Sequence, residues 1–164
     1  MKLNLNVNSD SKISSLVNPI YEQKTISILT KFLIRLVDII GAIVGIIILI
    51  PLSIYVLINR IKIGEKNGPL FYTQKRIGKN GKIFRMYKLN SGPVFSEFPQ
   101  FINVLLGQMT LVGPRPYMSN EKDKMEKYFN IITKVKPGLT GVYQISGKRR
   151  ITFEERLDLD LNYL

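Results

Sequence analysis

From Ile39 to Asn59 the sequence carries no charged residue and reads I-I-G-A-I-V-G-I-I-I-L-I-P-L-S-I-Y-V-L-I-N, an apolar run long enough for a membrane helix. Helical pattern begins around Thr25 and brings Lys31, Arg35 and Asp38 up to the start of that run. Pro51 interrupts it. A proline inside a helix lacks one hydrogen-bond donor and collides with the preceding turn, so a sharp kink is expected at Ile50-Pro51, with Ser53 a candidate to repair the broken backbone. Lys24, Lys31 and Arg35 precede the run while Arg60, Lys62 and Lys66 follow it, and the positive-inside tendency pulls both ends to the cytoplasm. A helix that enters, bends at Pro51 and returns satisfies that pull. A straight span and a buried core helix of a soluble domain are the alternatives, and the second leaves little chain to cover so much apolar surface.

After Pro69 the period shortens to that of strands. Leu70 to Gln74 and Ile83 to Tyr87 are rich in aromatic and β-branched residues, and Gly78-Lys79-Asn80-Gly81 between them predicts a hairpin. Helical period returns at Phe98, Phe101, Ile102, Leu105 and Leu106, which make one apolar face. Ser96 is placed to cap that helix, Glu97 sits in its first turn, Pro99 is tolerated there, and Gly107 closes it. Met109 to Val112 form a short apolar run ending at Gly113-Pro114-Arg115-Pro116, where Arg115 stands between two prolines. Such a stiffly presented guanidinium suits bidentate capture of a phosphate or carboxylate.

Glu121 to Lys134 reads as a charged helical segment with Met125, Phe129 and Ile132 on its apolar stripe. Lys136 to Gly141 reads as a glycine loop whose N–H groups suit a phosphate. Val142 to Ile145 is strand-like, and Gly147-Lys148-Arg149-Arg150 is strongly basic. Thr152 with Glu155 predicts a capping box for a last helix. The fold expected is mixed α+β, mainly helical, in three parts. Residues 1–24 form an Asn- and Ser-rich mobile arm that is not a signal peptide, 25–66 a membrane-inserted helix broken near Pro51, and 67–164 a small cytosolic domain.

Composition narrows the chemistry. The 164 residues carry a formal charge of +12 and contain neither cysteine nor histidine. That removes disulfides, thiolate nucleophiles and imidazole bases, leaving carboxylates, hydroxyls and lysine for any acid, base or metal work. The positive balance predicts an anionic partner: nucleic acid, an acidic membrane face or a phosphorylated substrate. Lys75, Arg76, Lys79, Lys82, Arg85 and Lys88 concentrate it on the hairpin. Singly these read as a solvated face, and together as a surface for lipid headgroups or a diphosphate.

The run E-F-P-Q-F-I-N-V-L-x-G-x-M-x-L-V-G-P-R-P, from Glu97 to Pro116, resembles the signature of the bacterial sugar transferases, monotopic phosphoglycosyl transferases that start cell-surface glycan assembly. The resemblance extends from about Lys31 to the C-terminus. It takes in Phe71, Arg76, Gly78, Gly81, Phe84, Tyr87 and Lys88 on the hairpin, Pro137 to Gly141, and Gln144 to Gly147. It implies a re-entrant helix broken at a proline matching Pro51, and transfer of a sugar 1-phosphate from a UDP-sugar to undecaprenyl phosphate. That step would initiate exopolysaccharide, capsule or glycoconjugate synthesis at the cytoplasmic face of the bacterial membrane. It also implies an Asp-Glu pair at the start of the central helix, whose aspartate attacks the β-phosphate and whose glutamate belongs to a Mg2+ site. Glu97 matches the glutamate. Ser96 stands at the aspartate position, where it is either a nucleophile needing a base or simply a cap. Arg115, Lys88, Lys136 and Gln144 are the substrate-binding candidates.

Two further departures stand out. Where the family carries a few dozen residues between the hairpin and the central helix, only Asn90 to Phe95 bridge the gap, which brings the hairpin close to the helix. Gln108 replaces a usual acid, and Lys148-Arg149-Arg150 a more neutral pattern. Two readings follow: a phosphoglycosyl transferase, or a catalytically inactive truncated relative that binds the membrane or a partner, with homo- or hetero-oligomers open. A nucleic-acid binder explains neither the apolar run nor G-P-R-P, so no nucleic acid is expected.

Overall fold

The computed structural model describes residues 27–64, 68–91, 95–145 and 151–164. The expected N-terminal arm, Lys66, residues 92–94 of the short bridge and Lys148 to Arg150 lie outside the described residues. The chain divides into two units, Met1–Leu33 and Ile34–Leu164. In the first, Ser27 caps the long helix: its Oγ accepts from Leu29 N at 3.1 Å and its carbonyl from Lys31 N at 3.0 Å.

Helix α1, Ile28–Lys62, is long and apolar enough to cross a membrane, with a mean hydropathy of 2.7 over its most apolar window. Asp38, Ala42, Gly45, Leu49, Val56 and Arg60 are buried along one stripe, while Ile40, Ile43, Val44, Ile47, Ile50 and Ile54 remain exposed. One side therefore docks on protein and the others present hydrocarbon. The helix runs continuously through Pro51. Ser53 Oγ donates to Leu49 O at 2.7 Å. The acceptor that Pro51 deprives of a donor is Ile47 O, so Ser53 makes an ordinary bond one turn back rather than the repair expected of it.

Strands β1, Phe71–Ile77, and β2, Ile83–Leu89, pair antiparallel with Phe71 opposite Leu89 and Ile77 opposite Ile83. Asn80 and Gly81 take the positive φ values, 56° and 73°, that the turn dipeptide predicts. Helix α2, Gln100–Leu105, starts later than expected. Phe95 to Pro99 form successive three-residue turns, with Phe98 N bonded to Phe95 O and Gln100 N to Glu97 O. Pro99, not Ser96, is the residue before the helix, and the carbonyl of Ser96 instead accepts from Leu89 N at 3.1 Å. That bond holds the end of β2 against the turns that lead into α2, the closeness expected between hairpin and helix. Gly107, at φ 76°, ends α2 with Gln108 N bonded to Asn103 O and Gly107 N to Val104 O, the paired closure that favours glycine.

The apolar face expected of α2 is not its buried face. Gln100, Asn103 and Val104 are buried, whereas Leu105 and Leu106 are 37% and 59% exposed. Asn103 explains the inversion. Its Oδ1 accepts from Tyr87 N at 3.0 Å and its Nδ2 donates to Arg85 O at 2.8 Å, so a polar side chain satisfies the open edge of β2.

Strand β3, Thr110–Val112, runs parallel to β4, Gly138–Thr140. The glycine loop expected at 136–141 thus contains a strand. Between them lie short helical turns, including α3, Lys122–Met125, and α4, Phe129–Ile132, rather than one helix, with Glu126 at φ 46° where the path breaks. Met125 and Ile132 are buried with Phe129 against them, as the stripe predicts. Val142–Ile145, expected as strand, is a helical turn, α5. Helix α6, Phe153–Tyr163, carries the predicted box: Thr152 Oγ1 accepts from Glu155 N and Glu155 Oε2 from Thr152 N. Two cores result. Ala42, Phe84, Met86, Val104 and Met109 join α1, β2 and α2, and Ile77, Tyr117, Met125, Ile132 and Leu157 join the hairpin to the C-terminal helices.

Candidate functional site

The candidate residues fall into four places. Glu97 lies in the turns before α2, its side chain about half exposed, with Lys88 Nζ 2.8 Å from Oε1 and Gln100 donating to Oε2. Lys88 reaches it from β2, whose end is pinned beside Ser96 by the Leu89 bond. Ser96 is half-buried. Glu97 therefore presents a carboxylate oriented by one cation and one amide, and no three acidic side chains among the described residues gather into a metal cluster.

Arg115 occupies the second place. The backbone around it is gripped from every side: Gly138 N donates to Pro114 O, Arg115 N to Asp160 Oδ2 at 3.2 Å, Arg76 Nη1 to Pro116 O, and Ile77 N to Tyr117 O. Tyr117 Oη donates to the same Asp160 oxygen at 2.7 Å. Burial and the Asp160 charge push the Tyr117 phenol far up, so it stays a donor. Burial also raises Asp160, against the opposing pull of Tyr117 and Arg115. Gly113, Gly138 and Gly141 permit this grip, because a Cβ on Gly138 would lie 2.1 Å from Gly113 N. The glycines thus serve backbone-to-backbone approach, and the N–H of Gly138, which the sequence offered to a ligand, is spent on Pro114.

The loop is held while the Arg115 guanidinium makes no hydrogen bond to the described residues. Arg76 is its buried neighbour, lowered by burial and by Arg115, and supported by Glu121 and Glu97. That shared field links the Glu97 and Arg115 places.

Lys136 falls in a third place, with Arg35, Asp38 and Gly107. Gln144 is exposed on α5, its Oε1 3.3 Å from where a Gly141 Cβ would stand. The structure therefore groups Lys88 with Glu97 and gives Arg115, Lys136 and Gln144 separate neighbourhoods. A cleft of about 220 Å³, lined by Tyr55, Asn59, Arg60, Asn90, Ser91 and Phe95, borders the short bridge. Its volume is below the ~300–1,000 Å³ usual for small-molecule sites.

Sequence reasoning missed Asp38, Asp160, Asn103 and Arg35. Asp38 Oδ1 accepts from Thr110 Oγ1 and Leu111 N, both at 2.8 Å, anchoring α1 to β3. Arg35 donates to Val104 O and Leu105 O, each at 2.7 Å, closing the end of α2. A lone acid at the head of an apolar run was the visible signal for Asp38; nothing local marked the others.

A sequence model described as bacterial sugar transferase matches residues 29–96 and 92–164. The two stretches meet at the short bridge. Similar proteins include the galactosyl transferase CpsE of Streptococcus agalactiae serotype III (strain NEM316), 34% identical over 170 residues covering 79% of this chain and 37% of the relative. The undecaprenyl-phosphate galactose phosphotransferase of Salmonella typhimurium is 30% identical over 178 residues, covering 82% and 37%. The UDP-glucose:undecaprenyl-phosphate glucose-1-phosphate transferase of Klebsiella pneumoniae is 32% identical over 169 residues, covering 79% and 35%. The chain thus spans little more than a third of these relatives. Each alignment is longer than the part of this chain it uses, so the relatives carry residues that the chain lacks.

Proposed function

Because the chain belongs to the bacterial sugar transferase family, we propose that it transfers a sugar 1-phosphate from a UDP-sugar to undecaprenyl phosphate, the first step of a surface polysaccharide. The observation that carries this reading is the Lys88–Glu97–Gln100 cluster at the start of α2, within the electrostatic reach of Arg76. Residues 67–164 would work on the cytoplasmic side, with α1 re-entrant and both its ends on that side. The basic flanks of the apolar run and the proline within it support that placement.

In the covalent route, Ser96 Oγ attacks the β-phosphorus of the UDP-sugar and its proton passes to the Glu97 carboxylate. The bond between the two phosphates breaks and uridine monophosphate leaves. An oxygen of undecaprenyl phosphate then displaces Ser96 Oγ from phosphorus, and the serine recovers its proton. Arg115, fixed by its backbone with its guanidinium making no hydrogen bond to the described residues, binds the diphosphate; Lys88 and Gln144 add polar contacts. Glu97 fits a Mg2+ ion only as one ligand beside phosphate oxygens, an arrangement common for this ion, and Lys88 must then yield that oxygen. Bound there, Mg2+ would neutralise the diphosphate.

A second reading, an inactive relative that binds the membrane or pairs with a full-length enzyme, is favoured by Ser96 at the nucleophile position and by the break in the family match at 92–96. The experiment is release of uridine monophosphate from a panel of UDP-sugars by detergent-solubilised protein with Mg2+ and undecaprenyl phosphate, beside Glu97→Ala and Ser96→Asp. Release that disappears in Glu97→Ala supports transfer. No release from folded wild-type protein across the panel leaves the second reading.

A further inference from the structure

The third place contains a pair of cations, Arg35 and Lys136, to which the route above assigns no step. A Cβ built on Gly107 would lie 3.6 Å from both Arg35 Nη2 and Lys136 Nζ, so the two nitrogens are no more than twice that distance apart. A phosphate carries several oxygens and can place one within hydrogen-bond reach of each nitrogen.

The two cations differ in how they are held. Arg35 spends Nη1 and Nη2 on the carbonyls of Val104 and Leu105, which fixes the guanidinium but leaves donor capacity on a five-donor group. Lys136 makes no hydrogen bond to the described residues. It is half-buried, and burial and Arg35 both push its ammonium below the ordinary lysine value, with Lys79 adding to the repulsion. Asp38 opposes that shift, but its Oδ1 is already committed to Thr110 and Leu111. Two like charges brought together and partly desolvated beside one carboxylate leave an excess of positive charge, which an incoming anion relieves.

The surroundings identify the anion's class. Arg35 stands four residues before the uncharged run of α1, and the residues whose carbonyls it holds include Leu105, whose side chain is exposed beside that of Leu106. Val37 and Ile40 are exposed on α1 as well. A charged head would meet the cation pair while a hydrocarbon tail continued over apolar surface. A free inorganic anion would gain nothing from that second half.

We propose that Arg35 and Lys136, at the left-handed Gly107, form a binding site for the phosphate headgroup of a membrane lipid. The site is separate from Glu97. It rests on the membrane reading of α1 and not on catalysis, so its test does not depend on turnover. Two lipids carry the chemistry, an ordinary anionic phospholipid and the polyprenyl phosphate acceptor.

The test is the rate at which an amine-acetylating ester modifies Lys136, followed by peptide mass mapping with exposed Lys124 as the internal standard. Full-length protein is held in phosphatidylcholine nanodiscs alone, with phosphatidic acid, with undecaprenyl phosphate, or with inorganic phosphate in solution. A bound phosphate covers the amine, so Lys136 acetylation should slow about tenfold when lipid is in roughly tenfold excess over its Kd, with Lys124 unchanged. Arg35→Gln should remove the protection. Protection by both lipids, or by phosphatidic acid alone, assigns the site to bilayer headgroups; protection by undecaprenyl phosphate alone assigns it to the acceptor. Either result supports the site. Unchanged acetylation with both lipids, equal slowing at Lys124, or equal protection by inorganic phosphate overturns it.

Discussion

Two glycines on α1 look alike in sequence, but the structure gives substitution at each the opposite sign. A Cβ on Gly45 would lie 2.2 Å from Phe101 Cγ, with the two ring carbons next to it at 2.3 and 2.5 Å. Those atoms are at the root of the ring, so rotating the side chain's end cannot clear them and α1 must move off α2. A Cβ on Gly41 would meet the tip of Leu111, Cδ1 at 2.7 Å, which a rotamer change can withdraw. Alanine in a helix gains about 1 kcal/mol over glycine at either position. Against that, overpacking costs about 1–3 kcal/mol, and the Gly45 overlap belongs at the upper end. Gly45→Ala should therefore lose about 1–2 kcal/mol net, while Gly41→Ala should be neutral or gain up to about 1. At about 2–4 °C per kcal/mol for a chain of this size, Gly45→Ala should lower Tm by roughly 2–8 °C. Thermal melts followed by circular dichroism at fixed detergent concentration read this directly. Phe101→Leu in the Gly45→Ala background should recover part of the loss. A Gly45→Ala protein melting at or above wild type would refute the packing argument, because Phe101 would then not limit the approach of the helices.

Asp160 gives an inverted pH dependence. Burial raises its folded pKa above the unfolded value, so the folded state holds that proton to higher pH, and the contribution of Asp160 to stability falls as pH rises from about 4 through the folded value. Asp160→Asn removes this slope, and its Tm relative to wild type should improve steadily between pH 4 and 7; a constant difference would contradict the assignment. Thr152→Ala should cost about 1 kcal/mol by uncapping α6, measured by denaturant melts. Asn103→Leu leaves Tyr87 N and Arg85 O without partners and should cost about 2–4 kcal/mol in the same assay, more than the capping change.

What the sequence revealed was local. The apolar run, the Asn80-Gly81 turn, the Gly107 closure and the Thr152 box each depend on residues a few positions apart, and each stands where it was expected. Several of the misreadings share one cause, long-range pairing. Gly138 to Thr140 reads as a ligand loop until β3 is beside it, and Val142 to Ile145 has strand-like residues but no strand to join. The apolar stripe of α2 names the wrong interior because Asn103 is needed at the β2 edge and because α1 offers the other side hydrocarbon. For the site, Glu97 and Arg115 were legible from their neighbours in sequence. The partners that hold them, Lys88 for the first and Asp160 for the second, come from other elements, and only Lys88 was singled out beforehand.

The bond between Asp38 and Thr110 spans 72 residues, and this imposes an order on synthesis. At about 5–20 residues per second, α1 leaves the ribosome roughly 4–14 s before its carboxylate has a partner. Throughout that interval an unpaired charge at the head of the helix resists burial, by about 2.5–3.5 kcal/mol at a bilayer centre. We infer that the nascent helix rests shallowly, with Asp38 in water, and settles only when β3 arrives to receive it. Chains stalled before and after Thr110 should then differ in solvent accessibility at position 38. Equal accessibility in both would mean that the position of Asp38 is settled before β3 is made.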